Sequence, residues 1–181
     1  MLRQHGPGRI TLAAVAGEVG SSGPALIKRF GSRRGMMLAF TQWAVEMSRS
    51  TFRDTPRDPI SPLSALRRSL LGPRGHVSQE AADIREYSNI VQFYFCEAQD
   101  PESRELWCQW TDVYEQETIR FLEEAIAVGE LREVCDPVQL GHALHSAITG
   151  LVVLWFGHPE RSMLERLQQV FDTIIGPNLR S

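Results

Sequence analysis

The chain has 181 residues, 43% of them hydrophobic, and a formal net charge of −3. That length gives one domain, or a small domain joined to a larger one, with enough apolar content for a real core. Three cysteines, Cys96, Cys108 and Cys135, are too few and too scattered for a disulfide framework or a zinc site.

Met1–Arg9 lacks the apolar stretch of a signal peptide, and the longest apolar run, Ala147–Phe156, is too short to span a bilayer. These features lead us to expect a soluble, cytoplasmic protein with no membrane partner. The charge is unevenly spread. Residues 1–50 hold seven basic and two acidic side chains, whereas residues 51–181 hold twelve and twenty. Such asymmetry suits a basic module for a polyanion on an acidic body.

In chain order, Met1–Arg9 is rich in Gly and Pro and reads as irregular. Thr11 is a helix N-cap, and Leu12, Val15, Ala16 and Val19 follow on one helical face. Gly20 ends that helix. Ser22 caps a second short helix with Pro24 in its first turn. Leu26 and Phe30 face inward there, and Lys28 and Arg29 face outward. Gly31–Ser32 repeats the stop-and-cap signal, and Arg33 and Arg34 open a helix to about Phe52.

Residues 54–62 hold three prolines and read as a linker. A short helix follows over Leu63–Leu71, then a loop over 72–77. Helices are expected over 79–99, from Pro101 to Val128, from Asp136–Pro137 to Phe156, and from Pro159 to Ile175. No stretch shows the period-2 alternation of a strand. The fold class is therefore all-α, with an N-terminal helix-turn-helix domain over 1–46 and a helical domain over 47–181.

An αα-hairpin with a Gly-containing turn has many uses. Here Ser22, Gly23, Pro24 and Ala25 put no bulk at the start of the second helix. Its free N–H groups and positive dipole end favour phosphate. Lys28, Arg29, Arg33 and Arg34 cluster within seven residues, although a solvated face is the plain alternative for any one of them. No nucleophile-base-acid set, phosphate-cradling loop or telling carboxylate pair marks an enzyme. His142 and His145 stand three apart without a third ligand, so neither metal nor cofactor is expected.

The segment TLAAVAGEVGSSGPALIKRFGSRRGMMLAF resembles the DNA-binding segment of the TetR family of bacterial transcriptional regulators. Thr11, Val15–Ala16, Gly20, Ser22, Leu26, Phe30 and Ser32–Arg33 carry the resemblance. Beyond it the likeness is architectural, with a turn at Ala127, Gly129, Glu130 and Leu131 of the kind such proteins show. The resemblance implies phosphate contacts at Thr11, Ser22, Lys28 and Arg33, extending to Arg29 and Arg34. It puts base reading at Ser21, Gly23, Pro24 and Ala25. Ile27 replaces the family's frequent aromatic, and Gly23 stands where a basic residue is common. Readout would therefore lean on backbone, serines, thymine methyls and DNA shape.

The resemblance further implies a helix before Thr11 that covers Leu12, Val15, Leu26 and Phe30. Only nine residues, Gly/Pro-rich, form the stretch ahead of Ile10 and Thr11. An upstream start is the favoured explanation, ahead of cover supplied by the body or a weakened module.

The late helices carry apolar stripes. Leu140, Leu144, Ile148, Leu151 and Trp155 mark one, and Leu164, Leu167, Phe171 and Ile174 mark the other. The resemblance implies that they pair with a second copy in a homodimer, which would read a pseudo-palindromic operator in double-stranded DNA; an intrachain core is the alternative. Gln92, Phe93, Tyr94, Trp107, Trp110, Tyr114 and Glu117, with His142 and His145, suit an aromatic-lined cavity for a small-molecule ligand. Core packing is the alternative for any one of them. The expected function is a transcriptional regulator, a repressor released by a small ligand. The alternative is a dimeric ligand-binding or interaction protein with weakened or lost DNA binding.

Overall fold

A computed structural model describes residues 1–54, 60–71, 84–158, 160 and 162–180. Most of the expected linker at 54–62, the loop at 72–77, the start of the helix at 79–83 and the turn at Pro159 lie outside the described residues. The described elements are α1 (Leu2–His5), a 3-10 turn (Pro7–Arg9), α2 (Leu12–Glu18), α3 (Gly23–Phe30), α4 (Arg33–Asp54), α5 (Pro62–Leu71), α6 (Ile84–Glu97), α7 (Pro101–Ala127), α8 (Pro137–Trp155), α9 (Met163–Ile175) and a final 3-10 turn (Gly176–Asn178). Among the described residues there is no strand, and the fold is all-α.

The chain forms two compact units. The first comprises Met1–Met47 with Ala81–Trp110, so the unit holding α2 and α3 also takes in α6 and the start of α7. Its core is Ile10, Met36, Met37 and Phe93, with Leu2, Leu12, Val15 and Phe30 packed against it. Each large apolar side chain fully buried there contributes about 1.5–3 kcal/mol.

The face of α2 and α3 that the sequence leaves without a covering helix is thus covered. Phe93 of α6 and the N-terminal segment supply the wall. That segment is ordered rather than irregular. Asn89 Nδ2 donates to the Arg3 carbonyl at 2.5 Å, and Gly6 lies against Asn89 with φ 74°. The left-handed backbone favours glycine there, and a Cβ at Gly6 would sit 2.7 Å from Asn89 Oδ1, so that the Asn89 side chain would have to shift.

The second unit comprises Ser48–Glu80 and Thr111–Ser181. Leu66, Phe121, Leu122, Leu131, Leu144, Ile148 and Leu167 form its fully buried centre. Asp136 caps α8 by accepting from the Val138 and Gln139 N–H groups, and Ser162 caps α9. Glu130 satisfies the start of α5, accepting from the Leu63 N–H at 2.9 Å and the Ser61 hydroxyl at 2.5 Å. Gly141 lets α8 approach α7 closely, since a Cβ there would meet Ile119 Cγ1 at 2.7 Å.

α8 is long and apolar enough by composition to cross a membrane. Its Gly141, Leu144, Ile148, Leu151 and Trp155 stripe is nonetheless buried inside the chain, against α9 among other elements. Leu144→Ala is expected to cost about 2–5 kcal/mol, as for other cavity-forming core truncations. Thermal and urea unfolding would measure this, and a loss below about 1 kcal/mol would contradict the intrachain packing.

Candidate nucleic-acid interface

α2 and α3 are short because their ends are strongly specified. The Ala14 N–H donates to Thr11 Oγ1 at 3.1 Å, and the Ala25 N–H donates to Ser22 Oγ at 3.3 Å. Gly20, at φ 63°, closes α2. The Ser21 N–H then returns to the Ala16 carbonyl at 2.8 Å, a Schellman-type ending. Leu26 is buried and holds α3 in place.

Ser21, Ser22, Pro24, Ala25, Lys28 and Arg29 are exposed, and Gly23 is partly so. Thr11 is exposed as well, at the start of α2. Each capping hydroxyl accepts one N–H and keeps its own proton for an outside acceptor. Val19, on one helical face with Leu12, Val15 and Ala16 in the sequence, is 62% exposed at the end of α2, and Ile27 is 54% exposed on α3. Both add apolar surface beside the serines.

Arg33 and Arg34 differ from Lys28 and Arg29. Arg33 Nε donates to the Ile10 carbonyl at 2.8 Å, and its Nη2 donates to the Pro7 carbonyl at 2.9 Å. Its Nη1 lies 3.8 Å from Glu97. Arg34 grips Asp100 with two parallel bonds of 2.6 and 2.9 Å and reaches Glu102 at 2.9 Å. At these two positions, where phosphate contacts are expected, both guanidinium groups are engaged within the chain. Lys28 and Arg29 form no ion pair among the described residues, although Arg29 lies over the Phe30 ring at 5.3 Å. Asp100 also caps α7, accepting from the Glu102 and Ser103 N–H groups. The Arg34 bonds, followed by the Ser103 N–H, hold its carboxyl down at about 2.

The expected ligand residues divide between the units. In the first, Gln92 is exposed and Phe93 belongs to the core. Tyr94, Trp107 and Trp110 form one half-buried aromatic group, with Trp107 and Trp110 stacked at 4.7 Å and Tyr94 against Trp107 at 4.2 Å. In the second, Tyr114 is buried edge-on to Phe52 at 5.1 Å. Burial pushes its phenol upward, opposed by a hydrogen bond with Ser48. Glu117 pairs with Arg120.

His142 Nε2 lies 3.1 Å from Glu115. Burial lowers His145, against the pull of Glu115. A cleft of about 480 Å³ in the second unit is lined by Leu63, Arg67, Glu130, Phe171, Asp172 and Ile175, among others, and by none of the nine expected ligand residues.

No family model and no curated protein matches the sequence. Solved structures do. A TetR transcription regulator from Haloarcula marismortui matches at TM-score 0.80 and 18% identity, over 99% of this chain and 92% of that one. The SmeT–triclosan complex matches at 0.75 and 18%, over 99% and 87%. SmeT is the repressor of the Stenotrophomonas maltophilia multidrug efflux pump SmeDEF. PfmR, a TetR family transcriptional regulator from Thermus thermophilus, matches at 0.60 and 20%, over 96% and 91%. This chain has the TetR fold.

Within that fold the expected pairing residues need correction. Leu144, Ile148, Leu151, Trp155, Leu167 and Phe171 are buried inside the chain, where a second copy cannot reach them. Leu140, Leu164 and Ile174 are half-buried. The outward side of α8 is carried instead by Ala143, Ser146, Val153 and Leu154. Sequence reasoning also missed Glu97, Asp100 and Glu102. The Asp100–Pro101 helix-start signal was the one local hint of them.

A carboxyl-detected NMR titration should find Asp100 ionised as pH falls through the usual carboxylate range, with its midpoint near about 2. A midpoint at the ordinary value of 3.8 would mean that the Arg34 grip is not kept in solution.

Proposed function

We propose that this chain is a one-component transcriptional regulator of the TetR type. It is a cytoplasmic homodimer that binds a pseudo-palindromic operator in double-stranded DNA as a repressor and is released by a small apolar or aromatic ligand. The observation that carries this reading is the capped α2–α3 pair, whose second helix presents an exposed, unencumbered N-terminus and carries Lys28 and Arg29 in its last turn. N–H groups at a helix start and nearby cations suit phosphate. Ser21, Ser22, Pro24, Ala25 and Ile27 then meet base edges with few donors and much apolar surface, which favours thymine methyls and DNA shape.

The Tyr94, Trp107 and Trp110 stack suits an aromatic ligand. Triclosan, the compound bound by the similar SmeT, is of that class. No enzymatic activity is part of this reading. The alternative, a dimeric ligand-binding or interaction protein with weakened DNA binding, draws support from the engagement of Arg33 and Arg34 within the chain.

Gel-shift against the DNA flanking the chain's own gene, at two salt concentrations, decides between the two. A folded dimer that shifts no duplex at low salt would remove the DNA reading. Where binding occurs, Lys28→Ala should weaken it across sequences and flatten the salt slope by about one unit. An unchanged slope would take Lys28 out of the phosphate contacts.

The second copy would pack on the outward side of α8, where Val153 is 48% and Leu154 66% exposed. Val153→Glu with Leu154→Glu should give a folded monomer in sedimentation velocity. A variant that stays dimeric would move the interface elsewhere.

A further inference from the structure

The start of α4 carries two arginines directly after α3, and the turn from α6 to α7 brings three carboxylates to them. Arg34 is 54% exposed, yet its Nε and Nη2 are taken up by two bonds to Asp100 and one to Glu102. Arg33 is held by two carbonyls and lies near Glu97. A planar guanidinium meeting a carboxylate through two parallel bonds has the geometry in which it also meets a phosphate. Asp100 and Glu102 therefore present to Arg34 the same oxygen pattern that a nucleic-acid backbone would. Three acidic groups against two basic ones also leave this corner net negative, next to a helix pair that otherwise suits a polyanion.

The contact is geometrically specific, but it is displaceable. Arg34 and Glu102 are largely open to solvent and Asp100 is partly so, and exposed ion pairs contribute little net stability and are screened by salt. Asp100 keeps a second task when the arginine leaves, because its Oδ1 continues to accept from the first N–H groups of α7. Release therefore requires no unfolding of α7.

We propose that Asp100 and Glu102 are an intramolecular stand-in for DNA phosphate: they occupy Arg34 in the unbound protein, and backbone phosphate must displace them before Arg34 can join the interface. The contact is thereby autoinhibitory. It lowers affinity for all sequences alike, and any event that draws the α6–α7 turn away from α4 raises it. This inference rests on the DNA-binding reading above.

The test compares three proteins by salt-dependent binding to one duplex: the unaltered chain, Asp100→Asn with Glu102→Gln, and the same pair with Arg34→Ala added. Asparagine is as good an N-cap as aspartate, so α7 keeps its start, and circular dichroism with thermal melting confirms folding. The double variant is expected to bind more tightly at low salt, with a log–log slope steeper by about one unit, since each neutralised phosphate contributes about 0.9. Adding Arg34→Ala should return the slope to that of the unaltered chain.

If the steeper slope survives in the triple variant, the gain is only the loss of acidic repulsion and the inference is overturned while DNA binding stands. A double variant with an unsteepened slope overturns it equally. If none of the three proteins shifts any duplex at low salt, the functional reading falls and takes this inference with it.

Discussion

Phe93 is the side chain on which the N-terminal unit depends. It comes from α6, far along the chain, and completes a core with Ile10, Met36 and Met37. A helix-turn-helix of two short helices cannot bury enough apolar surface to hold its own shape, because helices of seven or eight residues are marginal alone in water. Here the missing surface arrives from α6 and from the segment before Thr11. The Arg33 bonds to the Pro7 and Ile10 carbonyls then fix where that segment meets α4. Packing, backbone capping and one guanidinium fork act on the same few residues.

The local features of this fold are legible in the sequence because their causes are local. Thr11, Ser22 and Asp136 cap their helices with hydrogen bonds to N–H groups two or three residues away, and Gly20, Gly31 and Gly129 take the left-handed backbone at helix ends. The apolar periodicity of α8 and α9 likewise gives the helices and their buried faces. It does not say what covers a buried face. The stripe from Leu144 to Trp155 fits a second copy and an intrachain core equally well, and the chain uses it for the latter.

The illegible features are those set by tertiary partners. Asn89 orders a Gly/Pro-rich start from 86 residues away. Asp100 and Glu102 engage an arginine 66 and 68 residues earlier. A charge in sequence carries no mark of whether its partner is solvent, phosphate or a carboxylate of the same chain. Phe93 shows the converse limit. An aromatic on a periodic helix serves a ligand wall and a core by the same physics of area burial, and only the positions of Ile10 and the methionines decide between them.

These constraints divide the basic residues near α3 and α4 by task. Lys28 and Arg29 sit on α3 itself, so their charge moves with the helix that would enter a groove. Arg33 is committed to two part-buried carbonyl contacts, and removing it would take a charge-assisted donor from each carbonyl as well as removing a charge. Arg34 stands between the two cases, with a specific geometry but more open partners. An electrostatic footprint counted from sequence gives these four cations equal weight. The hydrogen bonds make them unequal. On the proposed function, the charge offered to a polyanion would be set by the contacts of the α6–α7 turn as much as by the number of basic side chains.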